Sequence, residues 1–219
     1  MVLKGQFLER PTLIPLDGGL VLEGVSHRGE LRPGLLVLPP PPIEGSGMDH
    51  VVGAELAFAV SRHGHPTLRF NYRGVGGSQG QPSKRPDDWL EDARAALQLA
   101  MDNTEGQLAV VASIGASDAV ALRLAEERPV AGLVLINPSL VRPADFEGRE
   151  ALPWPLGVVL AELDPTQERG RWAAVLTRLD AALTIVPGAT RTYQRNLPMV
   201  GKAAASLVGR AGGRQPEAL

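Results

Sequence analysis

The stretch LAVVASIGASDAVALRLAEERPVAGLVLINPS, residues 108–139, holds the pattern that decides the fold. Leu108 to Ala112 is a short apolar run of strand length, and the segment Ser113 to Ser117 that follows, with Gly115 and Ala116 between its serines, suits a tight turn. A helix follows Ser117 and runs to Glu127, and Pro129 ends it because proline has no amide to donate and cannot continue the spiral. A second apolar run, Gly132 to Asn137, comes next. Two continuously apolar strands joined by a helix form the crossover unit of a parallel sheet covered on both faces.

Working outward, the same alternation recurs. Leu35 to Leu38, Thr67 to Tyr72, Gly157 to Ala161 and Leu183 to Val186 are further β-like runs. Upstream, Thr12 to Pro15 and Leu20 to Ser26 flank Asp17-Gly18-Gly19 and read as an N-terminal hairpin. Helical segments lie between the runs. Asp49 is placed to cap the first, with Val52, Leu56, Ala59 and Val60 on one face and Gly64 at its end. Asp87 or Asp88 opens the second, Thr166 caps a fourth, and Leu197 to Val208 makes the last. The expected class is α/β, a mostly parallel, twisted sheet of about eight strands with helices on both faces and residues 1–219 in one domain. Gly74 to Pro86 and Pro138 to Pro155, dense in glycine and proline, are loops over the sheet edge, the second in a position where a small lid would sit.

Composition narrows the chemistry. The chain has 219 residues, 44% hydrophobic and 21% charged, with a formal charge of -2. That balance gives no electrostatic footprint for nucleic acid or an anionic membrane. There is no cysteine, and there are only four histidines, so thiolate zinc sites, disulfides and cysteine nucleophiles are excluded and no metal or other cofactor is expected. The N-terminus MVLKGQFLERP lacks an apolar core segment, and a cytoplasmic protein is expected. Gly74-Val75-Gly76-Gly77-Ser78-Gln79-Gly80 has the glycines of a dinucleotide loop. Pro82 and Pro86 delay the next helix to about residue 87, however, so these glycines read as a tight turn after the strand.

At HPTLRFNYRGVGGSQG, residues 65–80, the sequence resembles the α/β-hydrolase superfamily, in particular small lidless hydrolases related to dienelactone hydrolases. PGLLVLPPPPIEGSGMDH upstream, and VVASIGASDAVALRLAEERPVAGLVLINPS, VVLAELDP and IVPGATRTY downstream, extend the resemblance over nearly the whole chain. It implies a serine on a strained strand-to-helix turn, followed in chain order by an acid and a histidine.

Aligning the helix after the turn puts Gly115 in the nucleophile's place. Ser117, bracketed by Gly115 and Ala119, is the alternative nucleophile; Ser113 would set bulky Val111 two residues before it. Ser117 also reads as the cap of the following helix, with Asp118 favoured in the first turn by the dipole. Asp164, after the strand ending in Ala161, falls in the acid's place. The histidine's slot holds Arg191, or Thr190 if the alignment slips by one, and all four histidines (His27, His50, His63 and His65) precede residue 66. A guanidinium is permanently protonated and accepts no proton. His50, beside the putative oxyanion loop, is the one recruit for a rearranged base; His63 and His65 are expected to face solvent, and His27 carries no signal. Pro39-Pro40-Pro41-Pro42 removes backbone donors on the oxyanion side, leaving Ile43, Glu44 or Gly45 to supply one.

The expectation is a hydrolase fold with a degenerate, non-hydrolytic site acting as a binding or interaction module, in which Arg191 and Asp164 form an ion pair. The alternative is a weak esterase using Ser117, Asp164 and His50. The expected partner is a small carboxylate or acyl ligand, held by Gly45, Met48, Arg191 and Trp154, with Trp154 also a contact for a homodimer. Trp89 and Trp172 are expected in the packing of helices.

Overall fold

The computed structural model describes residues 8–213; residues 1–7, part of the stretch read for a leader, lie outside that range. Eight strands form one sheet in the order β1-β2-β4-β3-β5-β6-β7-β8. They are β1 (Arg10–Pro15), β2 (Val21–His27), β3 (Gly34–Leu38), β4 (Thr67–Phe70), β5 (Ala109–Ile114), β6 (Gly132–Ile136), β7 (Leu156–Ala161) and β8 (Ala182–Val186). The hairpin β1–β2 is antiparallel and joins β4 antiparallel; every pairing from β4 to β8 is parallel. All residues of β3, β5, β6 and β7 are buried. That explains why these strands read as unbroken apolar runs with no alternation.

Helices cover both faces. On one lie α1 (Val51–Arg62) and α5 (Leu197–Ala211), which pack Val52, Leu56, Val60, Val200 and Leu207 onto Val110, Val134 and Val159. On the other lie α2 (Pro86–Asp102), α3 (Asp118–Glu127) and α4 (Arg169–Arg178), whose Leu90, Leu124 and Trp172 cover Val111, Leu135 and Val158. Trp89 and Trp172 are packing residues, as expected.

Among the expected helix starts, Asp49 and Thr166 are engaged by other side chains, and α2 opens at Pro86, with Asp87 and Asp88 inside its first turn. Asp49 pairs with Arg69 at 3.0 Å, so His50 caps α1, its Nδ1 accepting from the Val52 amide at 3.3 Å. Thr166 donates to Asp164 at 2.7 Å, and α4 begins after Glu168. His65 is buried rather than solvent-facing, its Nδ1 2.8 Å from the Pro33 carbonyl. His27 is also buried, with Nδ1 2.9 Å from Thr67 Oγ1.

The loop after β4 is pinned to α2 by one buried carboxylate. Asp92, with 0% exposure, accepts from the Arg73 amide at 2.8 Å and from Arg73 Nε and Nη2 at 2.8 and 2.6 Å. Burial pushes the Asp92 carboxyl up, and its bonds to Arg73 pull the other way. Removing one member of such a pair leaves the other uncompensated, at a cost of about 3–5 kcal/mol. Asp92→Ala is therefore expected to lose that much in urea unfolding, and a loss below about 1 kcal/mol would show that the pair does not anchor this loop.

Candidate functional site

In open α/β sheets the functional crevice lies at the carboxyl ends of the strands, and the positions singled out in the sequence follow β3, β5, β6, β7 and β8 there. Between β5 and α3 the chain makes a 3-10 turn, Gly115–Ser117. Gly115 has φ 59°, in the left-handed region where a side chain costs about 1–2 kcal/mol. The turn is tight in the manner expected of a strand-to-helix elbow, and its apex carries no side chain.

A carboxylate from elsewhere stands over that apex. Glu44 closes the 3-10 turn Pro42–Glu44 after the proline run. Its Oε1 accepts from the Ala116 amide at 3.3 Å, and its Oε2 lies 2.8 Å from where a Cβ on Gly115 would be. The amides of Glu44 and Gly45, expected as donors to an oxyanion, are spent inside the turn on Pro41 and Pro42 at 2.8 and 3.1 Å. What Glu44 brings to the elbow is an acceptor, and it already occupies the donor of the residue after Gly115.

Ser117 is not at the crest. It is 0% exposed, and its hydroxyl donates to the Pro39 carbonyl. With its only proton committed, Ser117 Oγ accepts from Tyr72 Oη at 3.1 Å. Burial raises the Tyr72 pKa far above its ordinary value, so the phenol remains a donor and is no base. Nor does Ser117 cap α3 through its side chain. Both expectations for this serine are thus corrected: it ties the start of α3 to β3 and to the end of β4.

The carboxylate that organises the edge is Asp118, read in the sequence only as a favourable first-turn charge. Fully buried, it accepts from the Ala119 amide at 2.6 Å and from the consecutive amides of Ser139, Leu140 and Val141, the latter two at 2.8 and 3.0 Å. These bonds fold the segment after β6 back onto α3. Phe146 and Trp154 anchor the rest of that segment in the core, with Trp154 Nε1 donating to Ala125 O at 3.3 Å. Trp154, expected as a ligand or dimer contact, therefore presents no surface to either.

Asp164, after β7, is 3% exposed and fully engaged. Oδ2 accepts from Asn137 Nδ2 at 2.7 Å, and Oδ1 accepts from the Thr166 amide and hydroxyl at 2.9 and 2.7 Å. Arg191 Nη1 lies 3.7 Å from Oδ2, the ion pair expected from the sequence. Arg191 Nη2 donates to Ser139 Oγ, and its side chain stays 46% exposed. Burial works to raise the Asp164 pKa, but Thr166, Asn137 and Arg191 outweigh it and hold the carboxyl below its ordinary value. Asn137 also accepts from the Ala161 amide at 3.1 Å and from Tyr193 Oη at 3.3 Å, which fixes the ends of β6, β7 and β8 relative to one another. Asn137, Ser139 and Tyr193 were not singled out in the sequence as functional, and Glu44 was named there only for its backbone donor. Asn137 just before Pro138 at a strand end was the one visible signal.

The histidines stay apart from this group. His27 and His65 lie at the amino end of β4, and His63 closes α1. His50, the recruit considered for a base, has Nδ1 committed to the Val52 amide, and burial lowers its pKa. Met48 is buried and acts through its backbone, taking Asn71 Oδ1 on its amide and Arg69 on its carbonyl, both at 2.7 Å. Gly45 is a left-handed turn residue with open space around it. Neither shows ligand-directed chemistry. Three cavities lie away from this edge, and among the described residues no group of three or more histidines or carboxylates could hold a metal ion.

A family model described as serine aminopeptidase, S33 matches residues 44–191, more than half of the chain, including Glu44, the β5 turn, Asp164 and Arg191. The chain belongs to this family. Two proteins of Mycobacterium tuberculosis, both named only as uncharacterized, are 38% identical over 128 residues. That match covers 57% of this chain and 44% of theirs, so the chain spans less than half the length of these curated relatives. Among solved structures, a protein of unknown function from Agrobacterium tumefaciens superposes with a TM-score of 0.76 at 22% identity, covering 95% of this chain and all of that one. An α/β serine hydrolase without lid from Xanthomonas campestris gives 0.72 at 22% identity, covering 95% of this chain and 97% of that one. These likenesses show the α/β-hydrolase fold. Among the described residues no helix is long and apolar enough to cross a membrane.

A carboxylate held below its ordinary pKa stabilises the fold fully above the unfolded value near 4, and that contribution is lost as pH falls through the folded value. Asp164→Asn is accordingly expected to be less stable than the parent at pH 6, with the difference shrinking below about pH 4. Chemical denaturation at both pH values checks this; a constant difference would mean that Asp164 carries no net charge-dependent stabilisation.

Proposed function

We propose that this member of the family has a degenerate, non-hydrolytic site and works as a binding module for a small carboxylate or acyl ligand. The observation that carries the reading is Arg191 beside Asp164 at 3.7 Å. In a serine hydrolase the acid orients an imidazole that takes the nucleophile's proton. Here the acid faces a group that is always charged and has no lone pair to offer. The nucleophile's position, read as Gly115, has no side chain, and Glu44 stands on the neighbouring amide where an oxyanion would need a donor.

Arg191 supports binding for the same reason that it argues against catalysis. Its guanidinium is half exposed, with donors beyond those given to Ser139 and Asp164. A planar fork of donors suits a carboxylate.

Hydrolysis of p-nitrophenyl acetate and butyrate should show no saturable turnover, and a fluorophosphonate probe should leave the intact mass unchanged. Saturable turnover abolished by Ser117→Ala would overturn the reading. Acetate or butyrate titrated by calorimetry should bind the parent about tenfold or more tighter than Arg191→Ala, the worth of a charge-assisted hydrogen bond.

A further inference from the structure

The second feature of interest lies on the other side of the molecule's last strand and does not rest on the carboxyl-edge reading. α5 crosses the sheet so that Leu207 presses onto Gly132 and Gly157, where an added Cβ would lie 3.3 and 2.9 Å from its methyl groups. The sheet continues one strand beyond that contact. On β8 the alternating residues Ala182, Thr184 and Val186 share one face, and only Val186 is buried. Between the overhanging strand and the helix runs a trough of about 320 Å³, floored by Val159, Ala182 and Thr184 and walled by Met199, Ala203 and Leu207.

The rim carries the charge. Lys202, Ser206 and Arg210 also line the trough. Spaced by four along α5, they fall in a row on one helix face, each about 6 Å from the next. Both cations are exposed, and among the described residues neither has an ion pair. By contrast, Arg69, Arg73, Arg94, Arg123, Arg149, Arg171 and Arg191 each meet a carboxylate. The acid packed against this helix, Glu55, lies against Gly201 and makes no bridge to either cation. An apolar slot beneath two positive charges that are unpaired among the described residues, with a hydroxyl midway between them, is complementary to a short alkyl chain ending in an anion.

We propose that the α5–β8 trough binds a medium-chain fatty carboxylate, its alkyl chain lying along Ala182, Thr184 and Ala203 and its carboxylate over Ser206 between Lys202 and Arg210. Both long side chains reach the midpoint of the row, so the headgroup draws on two cations and one hydroxyl donor without displacing any existing partner. The volume is at the small end of ligand pockets, which run from roughly 300 to 1,000 Å³, and this favours a chain of medium length over a long one.

The test is titration of the intact chain with octanoate, followed by amide shifts in two-dimensional NMR, with acetate and octanol as headgroup-only and tail-only controls. Octanoate should shift amides of β8 and α5 saturably and bind at least tenfold tighter than either control. Read at the amides of β8 and α5, Lys202→Ala/Arg210→Ala should weaken it tenfold or more, and Ala203→Phe should abolish it by filling the trough. Equal binding of acetate at the β8 and α5 amides, octanoate shifts confined to the Arg191 edge, or full affinity in the double variant at the β8 and α5 amides would each overturn the proposal. So would a concentration-dependent doubling of mass that perturbs the same amides and persists at saturating octanoate, since a second copy would then be the occupant.

Discussion

The buried carboxylate of Asp118 takes four backbone amides, one at the start of α3 and three in succession after β6. Deprived of that acceptor, the buried Val141 amide would be left unsatisfied, at a cost of roughly 1–3 kcal/mol, and the amides of Ser139 and Leu140 would lose the partner that fixes their direction. The path of the chain after β6 follows from this, and so does much of the carboxyl edge. Ser139, set in place by its amide, accepts Arg191 on its hydroxyl; Arg191 meets Asp164; Asp164 is held by Asn137 at the end of β6. Polar groups from the ends of four neighbouring strands are thereby joined in one network.

In this network most polar atoms already have partners. Every polar atom of Asp164 has a partner, the Ser117 proton is spent on a carbonyl, and the Tyr72 phenol is held protonated by burial. A hydrolytic site needs the opposite, a lone pair left free at the moment a proton must move. Among the described residues at this edge, the Arg191 guanidinium keeps donors to spare and solvent contact, which is the ground for proposing recognition of an anion.

The fold was legible because the central strands are covered on both faces, so burial wrote itself into the sequence as plain apolar runs at β3, β5, β6 and β7. The juxtaposition of Asp164 and Arg191 was legible too, since both follow adjacent parallel strands. Local polar chemistry was not. Asp49, Thr166 and Ser117 all looked like helix caps, and each was drawn off by a partner distant in sequence or by a neighbouring carboxylate. Glu44 reaches the β5 turn across 72 residues of chain, and no periodicity announces a contact of that kind. Trp154 between prolines looked like a surface feature, whereas the segment after β6 folds inward and takes the indole with it.

The left-handed backbone at Gly115 makes substitution there a one-way gate. Any side chain there begins with a conformational deficit and must also expel the Glu44 carboxylate from the space it fills. Placing a side chain at this apex would therefore demand at least two coordinated changes, one in the turn and one at Glu44.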